Sequence, residues 1–311
     1  MYESVSVVIP VFNSEGTTRP LVQSLESVLA PLVREFEVLL VNDGSRDQSW
    51  EIICQLAQER TFVRGINLMR NYGQHNALLA GIRAAKHDIV VTMDDDLQHP
   101  PDEIPRLLEK LAQGYSVVYG TPRRRGHSFW RNLASQVTKV ALQSAMGAET
   151  ARSSSAFRAF RTGLRAAFAA YRGPFVSIDV LLTWGTTSFA TVPVRHDARR
   201  VGVSNYTFRK LVIHALNVMT GFSALPLQLA SLVGFGLTLF GLLVLAYVVG
   251  VYLIQGGSVP GFPFLASIIA IFSGAQLFAL GMIGEYLARM HFRMMERPTY
   301  VVRGETDSVQ D

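Results

Sequence analysis

One stretch of this chain constrains its fold more than any other. From Leu211 to Gly284 there is no Asp, Glu, Lys or Arg. Inside it lie two apolar runs, about Leu227–Ile254 and about Phe264–Gly284. Each meets the roughly 20 residues that a helix needs to cross ~30 Å of hydrocarbon. The turn-rich connector Gln255-Gly256-Gly257-Ser258-Val259-Pro260-Gly261-Phe262-Pro263 separates them. The alternative is a buried helical hairpin in a large soluble core, and an uncharged stretch this long argues against it. The chain therefore divides into parts that face different solvents.

Arginine placement orients the hairpin. Arg199, Arg200, Arg209 and Lys210 precede it, Arg289, Arg293, Arg297 and Arg303 follow it, and the connector carries no Lys or Arg. The positive-inside rule puts both flanks in the cytoplasm and the connector outside. Met1–Val5 lacks a basic stretch followed by an apolar one, so it does not read as a signal peptide, and the chain is expected to begin in the cytosol. The expected divisions are a cytoplasmic domain over 1–205, a juxtamembrane amphipathic helix over 206–225, two transmembrane helices over 226–288 and a cytoplasmic tail over 289–311. The juxtamembrane piece also reads as a plain connector helix. The tail beyond Gly304 is polar and reads as loose.

Composition narrows the classes. Of 311 residues, 49% are hydrophobic and 17% charged, which excludes a disordered chain. No fixed period of glycine, heptad or longer unit occurs. The net charge of +5 is carried by arginine more than lysine, the lysines being Lys86, Lys110, Lys139 and Lys210. Guanidinium forks suit phosphate, but a coding bias toward arginine explains the count equally well. The single cysteine, Cys54, excludes an intrachain disulfide and a Cys-based metal site.

The first 210 residues alternate strand and helix signals. Strands are expected at Ser6–Phe12, Phe36–Val41, Val63–Met69, Asp88–Met93 and Tyr115–Tyr119. Helical patterns fall near Thr18–Leu32, Gln48–Glu59, Gln74–Ala85 and Asp102–Gln113. This order predicts an α/β fold, a mostly parallel sheet covered on both faces, with ligands at the carboxyl ends of its strands.

Three polar clusters arrive at that edge: Pro10-Val11-Phe12-Asn13-Ser14-Glu15, Val41-Asn42-Asp43-Gly44-Ser45 and Met93-Asp94-Asp95-Asp96-Leu97-Gln98. Singly, Asn13 and Asp47 could be helix caps. No G-x-G-x-x-G follows the first strand and no G-x-x-x-x-G-K-[ST] occurs, so a glycine-rich phosphate loop is excluded. The acidic run offers another device. Asp94 and Asp96 are two apart and share a side if the segment is extended. Two carboxylates on one side can hold Mg²⁺ or Mn²⁺ and leave positions for phosphate oxygens. A solvated acidic turn is the bland alternative.

The segments Val7–Asn13, Val41–Ser45, Asn71–Gly81 and Asp94–Pro101 resemble family 2 glycosyltransferases of the nucleotide-diphospho-sugar (GT-A) fold. The form NYGQHNALLAG followed by DDDLQHPP is similar to the polyisoprenyl-phosphate branch. That branch includes dolichol-phosphate mannose synthases, bactoprenol glucosyltransferases and undecaprenyl-phosphate 4-deoxy-4-formamido-L-arabinose transferases. The last is the nearest, through Asn71–His75 and Arg297-Pro298-Thr299-Tyr300. The resemblance spans almost the whole chain and fixes the branch but not the sugar.

It implies transfer of one sugar from a nucleotide-diphosphate sugar to a polyprenyl phosphate, at the cytoplasmic face of a bacterial inner membrane, in cell-envelope or lipid A modification. The donor is expected to be UDP-linked, with glucose or a 4-amino-4-deoxy-arabinose type of sugar. The resemblance further implies that Pro10, Asn13 and Glu15 line the nucleotide pocket and that Asp43 accepts hydrogen bonds from the base. Asp94 and Asp96 hold the metal and donor diphosphate, with Gln98 near the sugar or metal. Many relatives carry a small residue at the position of Asp95, which leaves open which two of the three aspartates bind metal. A homo-oligomer such as a tetramer is implied, and nucleic acid is not an expected partner.

The acceptor phosphate needs cations near the membrane. The resemblance assigns Arg131, Ser135, Arg200 and Ser204 to it, the last two within an R-x-G-x-S-x-Y-like segment at Arg200–Tyr206; Arg123–Arg125, Arg158 and Arg161 are further cations. Some relatives place an Asp where this chain has Ala156, so a candidate general base is missing. The loss is tolerable, because a phosphate monoester is already ionised near neutral pH, with a second pKa of about 6. Direct displacement with inversion is expected. His75 reads as a packing or hydrogen-bonding residue, and Glu285 as the partner of Arg289 one turn on. Two other functions compete, a processive polysaccharide synthase and a non-catalytic, membrane-anchored nucleotide-sugar-binding regulator. The first lacks its Q-x-x-R-W element here.

Overall fold

The structure is a computed structural model, described for residues 2–122, 154–173, 176–197, 225–255, 261–295 and 297–306. It opens as the alternation predicts. β1 (Tyr2–Val11), β2 (Val33–Asn42), β3 (Val63–Leu68) and β4 (Ile89–Thr92) are separated by α1 (Glu15–Leu29), α2 (Ser49–Glu59) and α3 (Gln74–Ala84). A short 3₁₀ turn at Pro101–Glu103 leads into α4 (Ile104–Ala112) and β5 (Val117–Pro122). β6 (Arg158–Arg161), α5 (Ile178–Gly185) and β7 (Phe189–Val194) follow. Two long helices, α6 (Leu225–Gln255) and α7 (Phe262–Met294), precede a last strand, β8 (Val302–Glu305).

Among the described residues, eight strands form one sheet in the order β7-β5-β6-β4-β1-β2-β3-β8. β4, β1, β2 and β3 run parallel, as do β5 and β7; β6 is antiparallel to β4 and β5, and β8 to β3. The two-residue alternation of a strand sorts its side chains onto the two faces. Val5, Val7, Ile9 and Val11 of β1, with Val38 and Leu40 of β2, pack under α1, α2 and α4. Val8, Leu39, Val41 and Val90 pack on the other face, under α3 and α5. Covered on both faces, these strands read as near-continuous Val/Ile/Leu runs, as parallel strands do.

Pro10 lies within β1, where a missing N–H would ordinarily damage a central strand. The Val8 carbonyl accepts the Met93 N–H, so residues of that parity face β4, and the β1–β4 register ends at Val8↔Thr92. Pro10 is past that end and no ladder bond is lost.

α6 and α7 are both long and apolar enough to cross a membrane. The stretches that qualify are Pro226–Ile254 and Ile271–His291, with mean hydropathies of 2.5 and 1.3 and no buried share. Phe235, Leu253, Ile254, Leu277 and Phe278 lie uncovered on them. The i,i+4 pair between Glu285 and Arg289 forms at 2.7 Å.

Of the tail read as loose beyond Gly304, Glu305 and Thr306 are held in the fold, and residues 307–311 lie outside the described residues. β8 pairs with β3 through Ile66↔Glu305, Asn67↔Gly304 and Leu68↔Val302. Thr306 then exchanges two hydrogen bonds with Gly65, at 2.8 and 2.9 Å. Polarity suggested looseness, and all four residues of β8 are indeed exposed, but β3 supplies a row of backbone partners that holds the strand as an edge of the sheet.

Candidate active site

The β1, β2 and β4 exits meet at the carboxyl edge of the sheet. The first two are stitched together residue by residue. Asn13 donates its N–H to Ser45 Oγ at 3.0 Å, and its Oδ1 accepts the Arg46 N–H at 2.9 Å. Ser14 donates to Ser49 Oγ, Glu15 donates to Asp47 Oδ2, and Glu15 Oε2 accepts the Gln48 N–H. Asp47 Oδ1 also accepts the Ser49 N–H and hydroxyl at the start of α2, the capping reading for that residue. Asn13 holds a left-handed backbone, φ +54°, uncommon for any residue but glycine and tolerated best by Asn and Asp. Asn13 and Glu15 thus join the β1 exit to the β2 exit, and Pro10 is buried within β1, paired with Val41, three residues before Asn13.

Asp43 is 2% exposed. Its two oxygens accept the Tyr72 N–H at 2.7 Å and the Gly73 N–H at 2.9 Å, joining the β2 exit to the start of α3. Burial pushes its carboxyl above the ordinary range, against those two donors and the charge of Arg70. Gly44 makes the junction possible. Its φ is +68°, and a Cβ there would lie 2.6 Å from the Arg70 carbonyl carbon and the Asn71 nitrogen. Beneath it, buried Asn42 donates to Asn67 Oδ1 at 2.8 Å.

The acidic run is not an extended segment. Asp95 and Asp96 sit in a turn, and Leu97 is left-handed at φ +59°. The alternation that would align Asp94 with Asp96 therefore does not apply, and neighbouring groups fix each carboxylate instead. Asp94 Oδ1 accepts Gln74 Nε2 from the first residue of α3, at 2.6 Å. Asp96 Oδ1 accepts the Gln98 N–H at 3.1 Å, which folds Gln98 back against the turn. Asp95 Oδ2 accepts the Phe12 N–H at 3.3 Å. Burial raises the Asp95 carboxyl, while hydrogen bonds from Ser14 and Phe12 pull it down.

The donor set suits a hard divalent cation. Asp94 and Asp96 offer two carboxylates, each oriented by a neighbour, and among the described residues no group of three or more His, Cys, Asp or Glu is disposed to hold a metal ion by itself. Mg²⁺ and Mn²⁺ are commonly held by one or two carboxylates, with substrate phosphate and water completing the shell.

Behind the turn, His99 stacks on Phe157 at 5.3 Å and meets His196 edge-on at 4.8 Å. Asp197 donates its N–H to the Gln98 carbonyl at 2.8 Å, so the segment after β7 is fastened to the acidic turn. Sequence reasoning missed this contact, as it missed Gln74; the Asn-Tyr-Gly-Gln-His run contained the second.

Arg158 is not a surface cation. It is 1% exposed, ion-paired with Asp179 of α5, and bonds Thr92 Oγ1 through Nε at 3.0 Å. Thr92 in turn donates to the carbonyl of Ala156. The arrangement ties β4, just before Asp94, to α5, and Arg158 is committed to that pair. His75 behaves as read, its Nδ1 accepting the Ile178 N–H at 3.3 Å. Arg131, Ser135, Arg200 and Ser204 lie outside the described residues, as do Arg123–Arg125.

Comparison with known proteins places this geometry. A family model described as glycosyl transferase family 2 matches residues 6–172. The undecaprenyl-phosphate 4-deoxy-4-formamido-L-arabinose transferase of Pseudomonas aeruginosa (strain LESB58) is 38% identical over 302 residues, covering 96% of this chain and 89% of the relative. The transferase of the same name from Pectobacterium carotovorum subsp. carotovorum (strain PC1) is 34% identical, covering 97% and 93%. Among solved structures, glucosyl-3-phosphoglycerate synthase from Mycobacterium tuberculosis, in complex with Mn²⁺, UDP-glucose and phosphoglyceric acid, superposes with a TM-score of 0.54. It is 21% identical and covers 70% of this chain and 77% of that one, a likeness of fold alone.

Proposed function

The chain belongs to glycosyl transferase family 2, with a GT-A fold, and from that premise we propose that it moves one sugar from a nucleotide-diphosphate sugar to a polyprenyl phosphate. The observation that carries this is the acidic turn after β4, fastened to the β1 and α3 loops, on a head whose chain continues into two membrane-length helices. The acceptor class is supported by relatives named as undecaprenyl-phosphate transferases over nearly their whole length. A UDP-linked donor, of glucose or 4-amino-4-deoxy-arabinose type, is the finer part of the reading.

Each residue then has a defined task. Pro10, Asn13 and Glu15 form the nucleotide rim, and Asp43, whose oxygens also hold the Tyr72–Gly73 turn, accepts hydrogen bonds from the base. Asp94 and Asp96 would hold Mg²⁺ or Mn²⁺ and with it the donor diphosphate, with Gln98 beside them. The cation supplies positive charge against the departing nucleoside diphosphate. Gln74 and the Gln98 N–H keep the two carboxylates oriented, so little reorganisation is needed as charge develops. Arg131, Ser135, Arg200 and Ser204 bind the acceptor phosphate, whose ionised oxygen attacks the anomeric carbon with inversion. Asp179 is engaged by Arg158, and a phosphate needs orientation more than deprotonation, so no side-chain base is required. The head and both termini lie in the cytoplasm. Self-association belongs to the same reading, supported by Gly234, Gly236 and Gly274, where an added Cβ would meet nothing.

The test is a panel of labelled nucleotide sugars with membranes containing the full chain and Mg²⁺ or Mn²⁺. Chloroform-soluble label bearing a single sugar is expected; polymer would indicate a processive synthase. Asp96→Ala should lower turnover by ~10²–10³-fold, the scale of losing one electrostatic partner of developing charge. Unchanged turnover would remove Asp96 from the site.

A further inference from the structure

Three adjacent carboxylates in the acidic turn reach three different neighbours. Asp94 meets Gln74 of α3, Asp96 folds back on the Gln98 N–H, and Asp95 crosses to the loop after β1. There its carboxylate accepts the Phe12 N–H at 3.3 Å, and the Ser14 hydroxyl braces the same loop by donating to the Phe12 carbonyl at 3.3 Å. The β1–β4 register stops at Val8↔Thr92 and β4 ends there. Asp95 bridges the loops past that point.

The loop it holds has an uncommon backbone. Asn13 is left-handed, a conformation that few residues other than glycine adopt and that Asn accepts more readily than most. Such a conformation persists only when its surroundings determine it. Ser45, Arg46 and Ser49 hold it from the β2 side, and Asp95 holds its Phe12 N–H from the β4 side.

We propose that Asp95 is a positioning residue and not a metal ligand: it sets the spacing between the loop that carries the nucleoside and the two carboxylates that face the diphosphate. The proposal rests on the nucleotide-diphosphate reading of the donor. A nucleoside diphosphate spans both loops, so its affinity depends on their spacing. The nucleoside alone touches one loop and is indifferent to it.

The experiment uses the full chain in detergent micelles. UDP and GDP are titrated in parallel, with MnCl₂ and with EDTA, and the tighter of the two is carried forward with its own nucleoside as competitor. The variants are Asp95→Ala, Asp95→Asn, Ser14→Ala and Asp96→Ala. Asp95→Ala should weaken the diphosphate about 10-fold, the scale of one lost charge-assisted contact, leave the nucleoside unaffected and keep the gain in affinity that Mn²⁺ confers. Asp95→Asn retains an oxygen for the Phe12 N–H and should recover most of the loss. Ser14→Ala should weaken the diphosphate in the same selective way, and the Ser14/Asp95 double alanine should lose less than the two single losses multiplied. Asp96→Ala should abolish the Mn²⁺-dependent gain.

The proposal is overturned if Asp95→Asn abolishes that gain as Asp96→Ala does. It is also overturned if Asp95→Ala binds the diphosphate like the parent, or weakens diphosphate and nucleoside alike. Should Asp95→Ala fail to fold, Asp95→Asn and Ser14→Ala decide the matter. Failure of the underlying donor reading looks different: the parent chain itself would then show no Mn²⁺-dependent binding of either diphosphate.

Discussion

Gly44 shows how much of the site rests on single backbone positions. The turn after β2 passes so close to Arg70 and Asn71 that only a residue without Cβ fits, and its φ of +68° disfavours any other residue. Gly44→Ala should cost ~1–2 kcal/mol for handedness alone, and more for the contact. Because Asp43 next door braces Tyr72 and Gly73, the same substitution should loosen the nucleotide rim. A melt several degrees lower, together with weaker UDP binding in MnCl₂, is the expected result; an unchanged melt would mean the turn can reshape freely. At this scale the sequence named Pro10, Asn13, Glu15, Asp43, Asp94, Asp96 and Gln98 as one cluster, and the described structure brings them to one edge. It could not name the partner each one takes. Asp95 and Phe12 are 83 residues apart, and Gln74 and Asp94 are 20 apart, so no local pattern records the contact.

Among the elements, β2 carries a buried charge far from the chemistry. Glu37 accepts hydrogen bonds from Ser6 Oγ at 2.6 Å, the Lys86 N–H at 2.7 Å and Arg64 at 2.7 Å. Burial opposes its ionisation, yet these donors and the Arg64 charge prevail and hold the carboxyl below its ordinary value. The stability this adds is complete above the unfolded carboxyl value, near 4.3. It is lost as pH falls through the depressed folded value, where the native state must also take up the proton. Glu37→Gln should therefore destabilise the head by about 1–3 kcal/mol at pH 7. Denaturation of parent and variant between pH 6 and pH 3 should show the gap shrinking toward acid; a gap that widens would reverse the assignment. Element types were legible because burial on both faces writes β1, β2 and β4 as apolar runs and α1–α4 as periodic ones. β6 and α5 were not, since Arg158 and Asp179 look like surface charges until they are seen to neutralise each other.

At the scale of the whole molecule, β8 constrains topology. It follows α7 and completes the same sheet as β1–β7, so the chain beyond α7 returns to the head. If both helices span, the connector between them faces the opposite side. Cys54 is the single cysteine, which makes the prediction simple to check. In intact cells Ser258→Cys should react with a membrane-impermeant maleimide, while the parent chain and Asp307→Cys should react only after lysis. Labelling of Asp307→Cys in intact cells would overturn the proposed orientation. What the sequence determined by itself was the presence of two apolar runs of membrane length, the strand–helix order and the arrival of acidic and amide side chains at strand ends. These follow from composition, periodicity and chain order, which are local quantities. Tertiary structure alone decided that Arg158 is buried, that Asp95 bridges two loops, and that Thr306 closes on Gly65 across 241 residues. Each of these depends on which distant group comes within hydrogen-bonding distance, and that is settled only when the sheet has assembled.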